Sequence, residues 1–110
     1  YITYRILNKY KYQLTSQYQI RTSILLAHNV ETEFLTLSMS GLLVIKTNYA
    51  WDGASGPAID THSFMRASLV HDALCQLIQS GLIGLHHQKP ADKLLRKLCI
   101  EDGMGRFRAT

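Results

Sequence analysis

Asp52, His71, Asp72 and Asp92 are the residues of this chain best suited to chemistry, and they fall within one stretch, positions 52–92. Each can bind a metal ion or move a proton. A histidine among carboxylates suits zinc, manganese or iron, and it suits general acid–base work without a metal. Asp52 opens the turn Asp52-Gly53-Ala54-Ser55-Gly56-Pro57 behind Trp51. There aspartate caps a turn and glycine accepts a positive φ, so Trp51, Gly53, Ser55 and Pro57 also read as a structural loop. Ser55 is a poor candidate nucleophile, because its surroundings lack the G-x-S-x-G elbow. His86 and His87 sit in a Gly-Leu-His-His-Gln loop, where exposure is expected and ligation is not.

Elements of two kinds must hold these groups, and the hydropathy period changes once, near Pro57. Before it apolar residues alternate: Tyr10, Tyr12 and Leu14, then Tyr18, Ile20 and Thr22, then Leu35, Leu37 and Met39. Ser40-Gly41 reads as a tight hairpin turn before the apolar run Leu42–Ile45. Roughly three to five antiparallel strands are expected over residues 4–50. After Pro57, Phe64, Ala67, Val70, Ala73, Leu74, Leu77 and Ile78 repeat at helical spacing and stop at Ser80-Gly81. A second helix is expected to open at Lys89-Pro90, with proline at its first position and Ala91, Leu94, Leu95, Leu98 and Cys99 as its apolar stripe. The expected fold is therefore α+β: a small antiparallel sheet followed by two packed helices, roughly over 63–80 and 90–102.

Within that frame, His71 shares a helical face with Ala67, Leu74, Cys75 and Ile78, which also fits a half-buried core histidine. Asp72 lies about 100° further round, among Ser68, Gln76 and Gln79, so the two side chains diverge. Asp92 near the start of its helix suits the macrodipole without any further role. Chain geometry brings Asp52 toward His71, with Asp72 or Asp92 nearby, around a pocket walled by Trp51. Asp92 is the least secure member, because an antiparallel second helix returns it toward the far half of the first.

Composition narrows the rest. The chain has 110 residues, 46% of them apolar, which suits one domain. It contains no apolar run long enough to span a membrane. It also lacks the apolar core of a secretory signal, and its first residue is Tyr rather than Met, so a trimmed start is expected. Cys75 and Cys99 form no CxxC pair and read as buried, reduced thiols without reactive chemistry. The net charge of +4 gathers at the two ends: Arg5, Lys9, Lys11 and Arg21 before any acid, then Lys89, Lys93, Arg96, Lys97, Arg106 and Arg108. An anionic partner would suit such a bias, but solvated strand and helix faces explain it as well, and nucleic acid is not expected. Five tyrosines between Tyr1 and Tyr18 fit half-buried sheet positions better than a platform for bases.

Three motifs in order resemble a known family. Asp52-x-x-Ser55-x-Pro57, then Ala67-Ser68-Leu69-Val70-His71-Asp72-Ala73-Leu74, then Ala91-Asp92 with a later Gly103 are similar to the phage- and prophage-borne family called domain of unknown function 1353. The resemblance runs from about Tyr10 to Gly103. Cys75 departs from it, because the family often has an aromatic residue there. The resemblance implies a phage or prophage origin, with residence in the host cytoplasm or the virion and other phage or host proteins as partners. It supplies no activity. Two functions follow as expectations. One is a small metal-dependent hydrolase, with His71, Asp72 and Asp52 moving protons and His71, Asp52 and Asp92 holding a divalent ion that activates water. The other is a non-catalytic virion component or host-directed binding module, in which the same groups form a structural hydrogen-bond network. The helical phosphohydrolases with an HD signature are set aside, since they need a further histidine on a separate upstream helix; His28 lies in the β-rich part and His62 precedes His71 on one helix.

Overall fold

The alternating half folds as seven short strands rather than one small sheet. In the computed structural model, which describes residues 2–8, 11–52 and 61–102, these are β1 (Tyr4–Asn8), β2 (Lys11–Leu14), β3 (Tyr18–Arg21), β4 (Val30–Glu31), β5 (Leu35–Leu37), β6 (Leu42–Ile45) and β7 (Ala50–Asp52). They divide into a three-stranded sheet, β1-β2-β7, and a four-stranded sheet, β3-β6-β5-β4. Every pairing is antiparallel. The split follows from the β2 to β3 connection: after Leu14 the chain leaves the first sheet, and β7 returns to pair with β2 through Tyr12 opposite Trp51. Alternation continues into burial, with Tyr12, Leu14, Leu35, Leu37, Leu43 and Ile45 all buried. Met39, expected to extend that row, is exposed beside the turn.

The turn at Gly41 is required twice over. Its φ is +99°, and a Cβ there would lie 2.5 Å from the Thr22 carbonyl oxygen and 2.8 Å from that of Ile24. Glycine alone satisfies both the conformation and the approach.

Two helices follow, α1 (Thr61–Gln79) and α2 (Gln88–Glu101), joined through a short 3-10 turn at Leu85–His87. The expected α1 stripe is buried at Ala67, Val70, Ala73, Leu74, Leu77 and Ile78, and Gly81 ends the helix with a φ of +79°. The second helix begins earlier than expected, so Pro90 is its third residue instead of its first. Proline is tolerated there because first-turn N–H groups have no intrahelical acceptor. His87, expected in solvent, is buried, while His86 beside it is exposed. The fold is α+β, as the change in period implies.

The helices run antiparallel, and their ends are clamped by Arg66. Its guanidinium donates through Nε to Asp102 Oδ2 (3.1 Å) and through Nη2 to Asp102 Oδ1 and Glu101 Oε1 (both 2.9 Å). This bidentate geometry fixes α1's first third against α2's last turn. It also sets the register that places His71 opposite Asp92 and Cys75 opposite Gln88.

Candidate functional site

Adjacent residues on α1 reach opposite neighbours, and this divides the polar groups into two seams. His71 faces α2. Its Nε2 lies 2.7 Å from Asp92 Oδ1, and the amide of Gln88 donates to that same oxygen at 2.9 Å. Asp92 Oδ2 has no protein partner among the described residues. The imidazole keeps 26% of its side-chain surface open and the carboxylate 57%, so the pair is reachable from solvent where the two helices meet. Bonds from His71, and secondarily from Gln88, hold the Asp92 carboxyl below its ordinary range. With a carboxylate accepting at Nε2, the neutral ring carries its proton there and keeps its lone pair at Nδ1.

Cys75, one turn beyond His71, completes the surroundings. Its sulfur is 3.6 Å from Nε2 and 3.8 Å from Nδ1. A thiol in line with the Nδ1 lone pair would stand much farther from Nε2, on the opposite side of the ring. The near-equal distances instead lay the sulfur against the ring, where it packs the imidazole and accepts from the Gln88 amide at 3.5 Å. The thiol is half-buried rather than buried, and both cysteines are free. The basic group nearest the Cys75 sulfur in the helix is the histidine four residues earlier.

Asp72 faces β7 and the turn before it. The Tyr49 hydroxyl donates toward Asp72 Oδ2 at 3.1 Å and lies 2.9 Å from Gln76 Oε1. Burial raises the Asp72 carboxyl above its ordinary range; the Tyr49 bond opposes the shift and the charge of Asp52 adds to it. Burial, then the charge of Asp72, pushes the Tyr49 hydroxyl up as well. Below them Trp51, 1% exposed, donates from Nε1 to Ser68 Oγ at 3.1 Å, and the Ser68 hydroxyl in turn donates a hydrogen bond to the Met65 carbonyl at 3.0 Å. Trp51, expected to wall a pocket, is thus enclosed in the core and lines no part of the groove formed by Arg21 and the lysines of α2. It is a core residue, packed on Tyr12 with ring centroids 5.7 Å apart.

Asp52 does not join His71. Along β7 the burial alternates, so Trp51 enters the core and Asp52 turns to the other face of the strand. There it is 73% exposed and pairs with Lys11 at 3.6 Å, directly across the β2–β7 register. Its charge is felt by Asp72, but no hydrogen bond or ion pair links it to His71. Asp92, the least secure candidate, is the one bonded to the histidine. Gly53, Ser55 and Pro57 lie outside the described residues. Among the described residues no three His, Cys, Asp or Glu side chains are grouped to hold a metal ion, so the set His71, Asp52 and Asp92 is not assembled.

Gln88, Tyr49, Gln76 and Ser68 were absent from the sequence-derived set. The signal available for Gln88 was its spacing of four before Asp92 on one helix face; for the others only the three-dimensional register supplies it. No helix of the described residues is long and apolar enough to cross a membrane. Comparison with models of protein families, with curated protein sequences and with solved structures finds no match.

Proposed function

We propose that this protein is a small hydrolase in which His71, oriented by Asp92, is the general base that prepares a water molecule for attack. The observation that carries the reading is the 2.7 Å contact between His71 Nε2 and Asp92 Oδ1 in a pair that is open to solvent. A carboxylate bonded to one ring nitrogen fixes the tautomer and ring orientation, and it stabilises the imidazolium formed when the other nitrogen takes a proton. The carboxyl held below its ordinary range stays ionised through neutral pH, as this role requires. Asp92 Oδ2, without a partner among the described residues, offers a second acceptor beside the base. In this division of labour Asp72 serves the fold, because its carboxylate is committed to Tyr49.

Among the described residues, a divalent ion would enter the reading through His71 and Asp92, with no third ligand grouped beside them. The similarity to the domain of unknown function 1353 family supports a phage or prophage origin, and with it action in the host cytoplasm or the virion.

The test is release of p-nitrophenol from p-nitrophenyl acetate and from bis(p-nitrophenyl) phosphate. His71→Gln and Asp92→Asn should each lower the rate by about 100-fold or more while melting stays cooperative. Unchanged rates in both variants, or no turnover by the wild type beyond buffer on either substrate, would set the hydrolase aside. If instead His71→Gln costs about 1–3 kcal/mol of stability without affecting any rate, the seam is a structural network.

A further inference from the structure

The two basic ends of the chain, far apart in sequence, meet at one cavity. Arg21 at the end of β3 and Lys89, Lys93 and Lys97 of α2 line a groove of about 600 Å³. Among the described residues no carboxylate contributes to its lining. We propose that this groove binds a small ligand carrying two or more linked phosphate groups, of the size of a nucleoside triphosphate.

Several observations converge. Lys89, Lys93 and Lys97 are spaced by four, so they form a row about 12 Å long on one side of α2. Among the described residues neither Lys89 nor Lys93 has an ion-pair partner, and Arg21 donates only to Ser40, at 3.2 Å to its carbonyl and 3.4 Å to its hydroxyl. Lys97 alone has a carboxylate, Glu101, at 3.9 Å on its far side. Four cations around one cavity repel one another, and an anion with several charges removes that cost. The volume falls within the range of small-molecule sites and is too confined for a duplex. Ser23, whose hydroxyl has no partner among the described residues, adds a donor, and Pro90 and Leu94 give an apolar patch for a ligand that is not phosphate throughout.

The experiment is isothermal titration calorimetry with sodium tripolyphosphate, ATP and a single-stranded DNA 20-mer. Wild-type protein should bind tripolyphosphate or ATP at one site, and more weakly as salt rises. Equal affinity places recognition in the phosphate chain, and a preference for ATP adds the nucleoside against Pro90 and Leu94. Lys93→Gln and Arg21→Gln should each weaken binding by about tenfold, the loss of one charge-assisted contact. Arg96→Gln, on the same helix outside the groove, should leave it unchanged. No binding at millimolar triphosphate overturns the proposal. So does equal weakening by Arg96→Gln, which would mean a diffuse positive field, and so does binding of the DNA alone. None of these variants touches His71 or Asp92, so the outcome is independent of the hydrolase reading.

Discussion

The seam between α1 and β7 and the seam between α1 and α2 use the same kinds of group to opposite ends. In the first, Trp51 and Tyr49 are buried, their polar atoms are matched by Ser68, Gln76 and Asp72, and burial pushes the carboxyl of Asp72 up. In the second, the carboxyl of Asp92 faces solvent, is pulled down by His71, and keeps one oxygen without a partner among the described residues. Neighbouring residues 71 and 72 thus belong to different environments because a helix turns them about 100° apart. A pair of polar residues side by side in sequence is no unit of function: one is spent on packing, the other is left available. No buried side-chain nitrogen or oxygen lacks a partner among the described residues, so neither seam stores unsatisfied polarity.

The largest test of the contrast is Trp51→Ala. It removes a fully buried indole, its ring contacts with Tyr12 and Tyr4 and its bond to Ser68, and should cost about 3–5 kcal/mol in urea unfolding. A loss below about 1 kcal/mol would mean the first seam does not hold the sheet to α1. Next is Tyr49→Phe, which keeps the ring and deletes the donor to Asp72 and Gln76. About 1–3 kcal/mol should be lost, with no change in hydrolysis. A fall in rate with stability intact would move Asp72 into the reacting site.

Much of this was legible in the residues, and the misses have physical causes. The change of period at Pro57 located strands and helices because burial of one face forces period two or 3.6. Sheet partition was not legible, since β2 to β3 continues the same alternation across the break between sheets. His71, Asp72 and Asp92 were found from residue type. Asp52 was misplaced because proximity along the chain was weighed without strand alternation, which sends Asp52 away from whatever Trp51 faces. Asp92 was undervalued because the antiparallel register of α1 and α2 depends on the Arg66 clamp, a long-range contact no local pattern reveals. His87, expected in solvent, is buried for a similar reason: the 3-10 turn, not the loop composition, sets its place.

The seams should also differ in the sign of their pH dependence. Asp72 has its pKa raised on folding, so the native state binds that proton more tightly than the unfolded chain does. Its contribution is present at low pH and lost as pH rises from the ordinary carboxylate value through the raised one. Asp92 has its pKa lowered, so its contribution is present above the ordinary value and lost as pH falls through the depressed one. Melting temperature followed across acid pH should therefore lose its falling limb in Asp72→Asn and its rising limb in Asp92→Asn. The same sign of change in both variants would end the distinction between the seams.

The smallest expected effect falls on Cys75, and it decides how the second seam works. If the sulfur only packs the imidazole, Cys75→Ala removes one atom from a half-buried position and should cost less than about 1 kcal/mol. The His71–Asp92 bond does not pass through the thiol, so hydrolysis should persist within a few-fold, and iodoacetamide should not abolish the wild-type rate beyond what its bulk explains. The near-equal distances from sulfur to the two ring nitrogens are the basis for this, because a nucleophilic thiol needs a ring nitrogen in line to take its proton. Loss of turnover in Cys75→Ala, with melting unchanged and a covalent acyl adduct on Cys75 in mass spectrometry of the wild type, would make the sulfur the attacking atom. The water-activating role of His71 would then give way to deprotonation of a thiol by the same imidazole, still oriented by Asp92.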